Sequence, residues 1–492
     1  MTHFSWAIDG SIVGLYLLAT MIAGVAVRKY VGKVEDFLVA GREMNVYLGI
    51  ASLAATEFGV VTAMYTAQNG YKYGFAGATP GLLNAAAMFL VGYTGFCIKP
   101  LRDSGVMTIP ELLEQRFGTF VRWLSGVVIV LGGLLNMGVF LRVGGEFLVV
   151  ACGLNPDNIE ITMTIMLVAV AVYTIMGGML SVLITDFLQF VVMSIGLIAV
   201  TILVLVEVGW DRLVGAVADK IGPGGFNPFL NQDMGWGFVI FNLFLNTAAV
   251  LTWQTSIARV LAAKDTNTGR QVYTRTSFFF VCRFLIPGIW GIAALATLSP
   301  QMLQSLSAQL PDDPSLFAMP LFLSTMVPVG LMGIMIAAML AADMSTDSSY
   351  MLTWGGVIYN DIMAPFRTGW SERKGLLWNR FIVAAIGLFL LFFGLWYKLE
   401  GDLWTYLTLT GTIYLASIST LLIACCYWKR ANNWGAIASI IISAVIPLGF
   451  LIMQKVDPET AKAIGPYNSG ISAYLLSGVA MIVGSLLKPQ KS

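Results

Sequence analysis

Apolar runs of about 20 residues recur along the whole chain, and this recurrence constrains its fold more than any other feature. Each run is long enough to cross the ~30 Å hydrocarbon core of a bilayer as a helix. Backbone polar groups facing lipid must be satisfied within their own segment, so such runs fold as a bundle of helices. Thirteen spans are expected, at about 8–29, 46–69, 78–98, 119–153, 158–177, 180–208, 235–261, 275–299, 327–361, 375–397, 402–428, 433–454 and 469–488. The chain is 57% hydrophobic and 11% charged, where soluble domains carry roughly 25% charged residues. An all-α polytopic protein embedded in a lipid bilayer is the fold class these numbers imply. No basic region precedes the first apolar run, so that run reads as a retained span and not a cleaved signal.

Several function classes fall away on residue content. A net charge of +1 gives nucleic acid nothing to bind. The only histidine is His3, so no Ser-His or Cys-His catalytic pair exists inside the bundle, and an enzyme is not expected. The five cysteines lie in or beside apolar runs without metal-ligand spacing. No GxxxxGK[ST] loop is present, which argues against ATP as the energy source. A channel would call for a repeated pore loop or a charged ring, and neither is seen. No obligate protein partner is evident.

Lysine and arginine set the expected orientation. With the N-terminus outside, most of the 28 basic residues collect at inner ends, among them Arg28, Lys29, Arg102, Arg116, Arg270, Arg367, Arg373, Lys429 and Lys491. The outer ends then hold Lys72, Arg212, Lys220, Lys398, Lys455 and Lys462. This bias favours a plasma-membrane protein with its C-terminus in the cytoplasm. Of the longer outer segments, 209–234 reads as an external loop. The segment 300–326, with Pro311, Pro314 and apolar Leu316 to Met326, reads as a re-entrant or interfacial helix.

Polar groups at mid-membrane are costly and mark function. They crowd the ninth span, where Asp343, Ser345, Thr346, Asp347, Ser348 and Ser349 stand almost back to back. Ala342, Ser345, Thr346 and Ser349 share one face by their three- and four-residue spacing. That face offers small residues and hydroxyl oxygens, which suit either close helix packing or a hard cation such as Na⁺. Two other spans are expected to break. The second holds Glu57 and Gly59 at its centre, and the seventh holds Asn246-Thr247 ahead of Trp253-Gln254. Unwound backbone at that depth is tolerated where it is buried or lines a cavity. Spans two to six and seven to eleven form two five-helix units, which an odd number of helices would relate by inversion. The expected divisions are 1–45, 46–208, 209–234, 235–428 and 429–492.

Four stretches give the chain a family resemblance. Tyr173-Thr174-Ile175-Met176-Gly177-Gly178-Met179-Leu180-Ser181-Val182, with Thr185-Asp186 and Gln189, is similar to Y-T-x-x-G-G-[LMF]-x-[AS]-V-x-x-T-D-x-x-Q of the sodium:solute symporters. Ala341-Ala342-Asp343-Met344-Ser345-Thr346 is similar to the same family's A-A-x-M-S-[ST]. Trp253-Gln254 with Arg259-Val260-Leu261 resembles W-Q-x4-R-V-L, and Asp36 to Arg42 resembles the family's early motif. The resemblance implies a leucine-transporter-like fold with an inverted five-plus-five core. It also implies Na⁺ as the transported coupling ion. Its main sodium site would comprise the carbonyls of Ala55, Phe58 and Ala342 with the hydroxyls of Ser345 and Thr346. Asp186 would be a second sodium-linked position. Asp343 and Asp347 depart from the family pattern and leave proton coupling open as the alternative.

The solute is expected near the broken helices, with Glu57, Thr62, Asn84, Arg142, Trp253 and Gln254 as candidates. Trp253 offers a cation–π face. Arg142 either meets a substrate carboxylate or pairs with Glu146 four residues on. Glu57 needs a positive neighbour, which Na⁺, Arg142 or an amine on the solute would supply. The expected function is sodium-coupled symport of a small organic solute (an amino acid, an amine or similar) into the cell by alternating access. A sugar or monocarboxylate is the alternative cargo.

Overall fold

The computed structural model describes residues 3–299, 301–303, 313–366, 369–397 and 402–488. Arg367, Lys398, Lys491 and Pro311, which figured in the charge and loop assignments, lie outside the described residues. Among the described residues there is no strand, and eleven helices are long and apolar enough to cross a membrane. In chain order the helices that build the bundle are α1 (Asp9–Ala26), α2 (Val46–Glu57), α3 (Val60–Tyr73), α4 (Thr79–Thr94), α5 (Thr119–Met137), α6 (Phe140–Cys152) and α7 (Ile159–Glu207). They continue as α8 (Gly235–Thr252), α9 (Gln254–Ala262), α10 (Thr266–Thr297), α11 (Leu331–Val357), α12 (Glu372–Trp396), α13 (Leu403–Tyr427), α14 (Asn433–Val456) and α15 (Pro466–Leu487).

The expected spans map closely onto these helices. The second span is α2 plus α3, separated by Phe58 and Gly59. The fourth is α5 plus α6, joined through Gly138 and Val139. The fifth and sixth spans are the two arms of α7. Gly178 has φ 53° and ψ −144°, outside helical space and open to glycine at no steric cost. A Cβ on Gly24 would meet both Tyr173 and Thr185 within 3.1 Å. Residues twelve apart would lie about 18 Å apart along one straight helix, so the chain doubles back at Gly178. The segment read as an open external loop carries a short helix, Trp210–Lys220. The seventh span breaks at Trp253, seven residues beyond Asn246. Trp253 has φ −64° and ψ 118°, whereas Asn246 stays helical and donates to Asn242 O at 2.8 Å.

Helix α11 is the axis of the bundle, buried along nearly its whole length. Its start is fixed by Asp9 of α1, whose Oδ1 accepts from Gly330 N at 2.7 Å and Gly333 N at 2.8 Å. A carboxylate there complements the positive end of the helix dipole. Its far end is held by Arg122, whose Nε donates to Asp361 Oδ1 at 2.9 Å. A backbone bridge ties the two broken helices together. Met44 N donates to Ala262 O at 3.1 Å, and Lys264 N to Met44 O at 3.1 Å.

Candidate functional site

The break after α2 lies directly beside the polar stretch of α11. Phe58, at φ −106° and ψ 72°, leaves the helical ladder. Ser345 Oγ donates to Ala55 O and to Ala342 O, both at 2.9 Å. Thr346 Oγ1 donates to Thr56 O at 2.8 Å and to Ala342 O at 2.9 Å. Three carbonyl and two hydroxyl oxygens thus converge from buried stretches of two helices, the donor set a hard cation takes. Thr56 was not among the candidates, and its carbonyl enters because the helix is already unwinding at that turn. Gly59 keeps the gap narrow, since a Cβ there would sit 2.8 Å from Thr346 Oγ1.

One residue along, Glu57 faces a cavity between the two breaks. Its walls include Thr62, Tyr65, Asn84, Asn136, Asn246, Trp253, Arg283, Tyr350 and Trp404. Glu57 Oε1 accepts from Thr255 Oγ1 and Ser256 Oγ, each at 2.8 Å, and Oε2 lies 3.3 Å from Arg283 Nη1. Its positive neighbour is therefore Arg283, a residue outside the candidate set. The signal was present in sequence: an arginine inside an apolar run whose neighbours three and four residues away (Phe279, Phe280, Ile286 and Pro287) include no acid. Such a charge must find its partner on another helix.

The other candidates divide. Thr62, Asn84 and Trp253 line the cavity. Thr62 accepts from Arg283 Nη2 at 3.2 Å, Asn84 Nδ2 donates to Asn246 Oδ1 at 2.9 Å, and Trp253 Nε1 donates to Tyr350 Oη at 3.0 Å. Arg142 does not reach the cavity. Its Nε is 2.9 Å from Glu146 Oε1 and its Nη1 donates to Gly394 O at 3.3 Å, so the pair within its own helix claims it. Gln254 also turns away, its Nε2 donating to Thr252 O at 3.2 Å, because the break at Trp253 rotates the next helix.

Asp186 is fully buried and its positive partner is Arg259. Arg259 Nη2 donates to Asp186 Oδ2 at 2.9 Å, to Thr56 Oγ1 at 2.6 Å and to Ser349 Oγ at 2.7 Å. Ser52 Oγ donates to the same carboxylate oxygen at 2.5 Å. Buried charges persist when paired and hydrogen-bonded in this way. Asp343 and Asp347 lie on another face of α11. A Cβ on Gly144 of α6 would sit 3.0 Å from Asp343 Oδ1, and neither aspartate borders the cavity.

Two discontinuous helices around a central cavity, one of them sharing an oxygen cluster with a third helix, define an ion-coupled membrane carrier. The chain belongs to the sodium:solute symporter family, whose model matches residues 37–443. It is 26% identical over 481 residues to sodium/glucose cotransporter 4 of Danio rerio, covering 92% of this chain and 72% of that protein. It is 25% identical over 529 residues to a sodium/mannose cotransporter of Bos taurus, covering 98% and 87%. Its fold is similar to that of a Na⁺-coupled sialic acid symporter solved in a substrate-bound outward-open state, with a TM-score of 0.81 at 19% identity over 99% of this chain and 98% of that one. The fold is the leucine-transporter-like one, and the chain is a multi-pass, sodium-coupled solute symporter.

Proposed function

We propose that the coupling ion binds between the α2 break and α11, through the carbonyls of Ala55, Thr56 and Ala342 and the hydroxyls of Ser345 and Thr346, with the carbonyl of Phe58, which the family resemblance implies but which accepts from neither hydroxyl, as a further ligand. The solute then occupies the cavity faced by Glu57, Thr62, Asn84 and Trp253. The carrying observation is adjacency: Ala55 and Thr56 supply oxygens to the cluster while Glu57, next in the chain, faces the cavity. An ion that fixes the unwound turn thereby fixes one wall of the solute site. Uptake into the cell by alternating access follows, with units 46–208 and 235–428 moving against each other. The N-terminus lies outside the plasma membrane and the C-terminus inside.

The solute is a small polyhydroxylated molecule. Aromatic walls from Tyr65, Trp253, Tyr350 and Trp404 with amides from Asn84 and Asn246 suit the faces and hydroxyls of such a solute, and the relatives named above include glucose and mannose cotransporters. An amine or zwitterion is the second reading, favoured by Glu57. That carboxylate already accepts from two hydroxyls and one guanidinium, which leaves an ammonium less to gain. The test is uptake of labelled sugars, polyols, amines and amino acids into proteoliposomes with and without a Na⁺ gradient. Sodium-driven accumulation of a hydroxylated solute is expected. Accumulation of amines alone would reverse the choice.

A further inference from the structure

The cavity wall carries a cation whose hydrogen-bonding capacity is only partly used. A guanidinium has five N–H donors in a fixed plane. Arg283 directs them at three acceptors: Glu57 Oε2 at 3.3 Å, Thr62 Oγ1 at 3.2 Å and Tyr65 Oη at 3.2 Å. All three contacts are at the long end of the range for N–H···O bonds. Its buried Nε has no acceptor among the described residues. The ring centroids of Phe280 and Phe284 lie 5.3 and 5.7 Å from the guanidinium carbon, within cation–π range. Asn84, which lines the same cavity, is 8% exposed, and its Oδ1 has no donor among the described residues although Nδ2 is bonded to Asn246.

A buried N–H without an acceptor and a buried amide oxygen without a donor are both unfavourable unless a ligand completes them. The guanidinium fork matches the geometry of a carboxylate, and its long bonds are ones a better acceptor displaces. Glu57 does not fill that role, because Thr255 and Ser256 hold its other oxygen toward α9.

We propose that Arg283 receives a carboxylate of the transported solute while Asn84 Oδ1 accepts from one of its hydroxyls. The cargo is then a small hydroxylated carboxylic acid. This rests on the symport reading above, and it makes Arg283 the residue that selects among polyhydroxylated solutes. An aldonic or uronic acid has the required chemistry; the parent sugar has the hydroxyls without the charge.

The test uses the full-length protein with D-gluconate and D-glucuronate as probes, against D-glucose and the methyl ester of D-glucuronate. The ester keeps the hydroxyls and removes the charge, so the wild-type protein alone answers the question. In Na⁺, at least one acid is expected to raise the thermal unfolding midpoint and to accumulate in proteoliposomes, with the ester bound at least about tenfold more weakly. Arg283→Lys keeps the charge and loses the fork. It should raise the KM for the acid about tenfold while the Na⁺-dependent thermal shift persists. The inference is overturned if neither acid binds in Na⁺, or if the ester or glucose is handled as well as the acids. The symport reading fails separately, if Na⁺ neither stabilises the protein nor drives uptake of any solute.

Discussion

Replacing Gly59 by alanine adds one methyl group where the unwound end of α2 meets α11. The backbone tolerates it, since φ −79° and ψ 165° are open to any residue. The space does not. The new Cβ would lie 2.8 Å from Thr346 Oγ1 and 3.3 Å from Thr346 Cβ and Cγ2. The contact with the hydroxyl is roughly 0.5 Å or more short of ordinary contact. Gly59 is buried in the break and Thr346 in a packed helix, so the hydroxyl must rotate or the break must open. Binding groups lose their effect when displaced by about 0.5 Å, so Thr346 should cease to act as a ligand. Loss of that ligand should raise the Na⁺ concentration for half-maximal uptake about tenfold, or ~1.4 kcal/mol. Overpacking should also lower stability by about 1–3 kcal/mol. The assay is Na⁺-dependent uptake in proteoliposomes with the thermal midpoint measured alongside. Because the methyl acts through one hydroxyl, Gly59→Ala combined with Thr346→Ala should require little more Na⁺ than Thr346→Ala alone. Unchanged Na⁺ dependence in Gly59→Ala, or fully additive effects in the double variant, would refute the reasoning.

Three further expectations are open to test. Arg259→Gln or Asp186→Asn alone should destabilise the protein by about 3–5 kcal/mol, whereas the double variant should recover much of the loss, because either single change strands a buried charge or its donors; thermal midpoints in detergent decide this. Glu57→Gln should alter solute KM while the Na⁺ concentration for half-maximal uptake stays within about threefold, less than the roughly tenfold shift a lost ligand would bring, since Glu57 faces Arg283 and the cavity; a change confined to Na⁺ affinity would assign Glu57 to the ion. Cysteines placed at Arg102 and Arg373 in a cysteine-free background should resist an impermeant thiol reagent applied outside intact cells, and those at Lys220 and Lys455 should react; the opposite pattern would invert the topology.

The fold was legible wherever the signal was local. Apolar runs located the helices, the boundary expected between spans 158–177 and 180–208 fell on the reversal at Gly178 inside α7, and Glu57 with Gly59 marked the first break. The second break was expected in the span holding Asn246-Thr247 and Trp253-Gln254 but not fixed to a residue; it falls at Trp253, where Thr252-Trp253-Gln254 holds neither glycine nor proline to mark it. The oxygen cluster was partly legible, as Ser345 and Thr346 lie on one face of one helix. Arg142 drew attention that belonged to Arg283. The partner of Arg142 is four residues away, while that of Arg283 lies 226 residues away in sequence, where spacing carries no information. The same distance hid Arg259 from Asp186, 73 residues apart and brought together because α7 and α9 both pack against α2.

Binding of radiolabelled sodium to the purified full-length protein tests the coupling site without knowledge of the solute. Saturable binding is expected in the wild type and in Asp347→Asn, whose carboxylate makes no hydrogen bond to the cluster among the described residues. Binding should be lost from Ser345→Ala combined with Thr346→Ala while the fold is retained. Binding that survives the double alanine variant and disappears in Asp347→Asn would contradict the assignment and move the ion to the acidic face of α11.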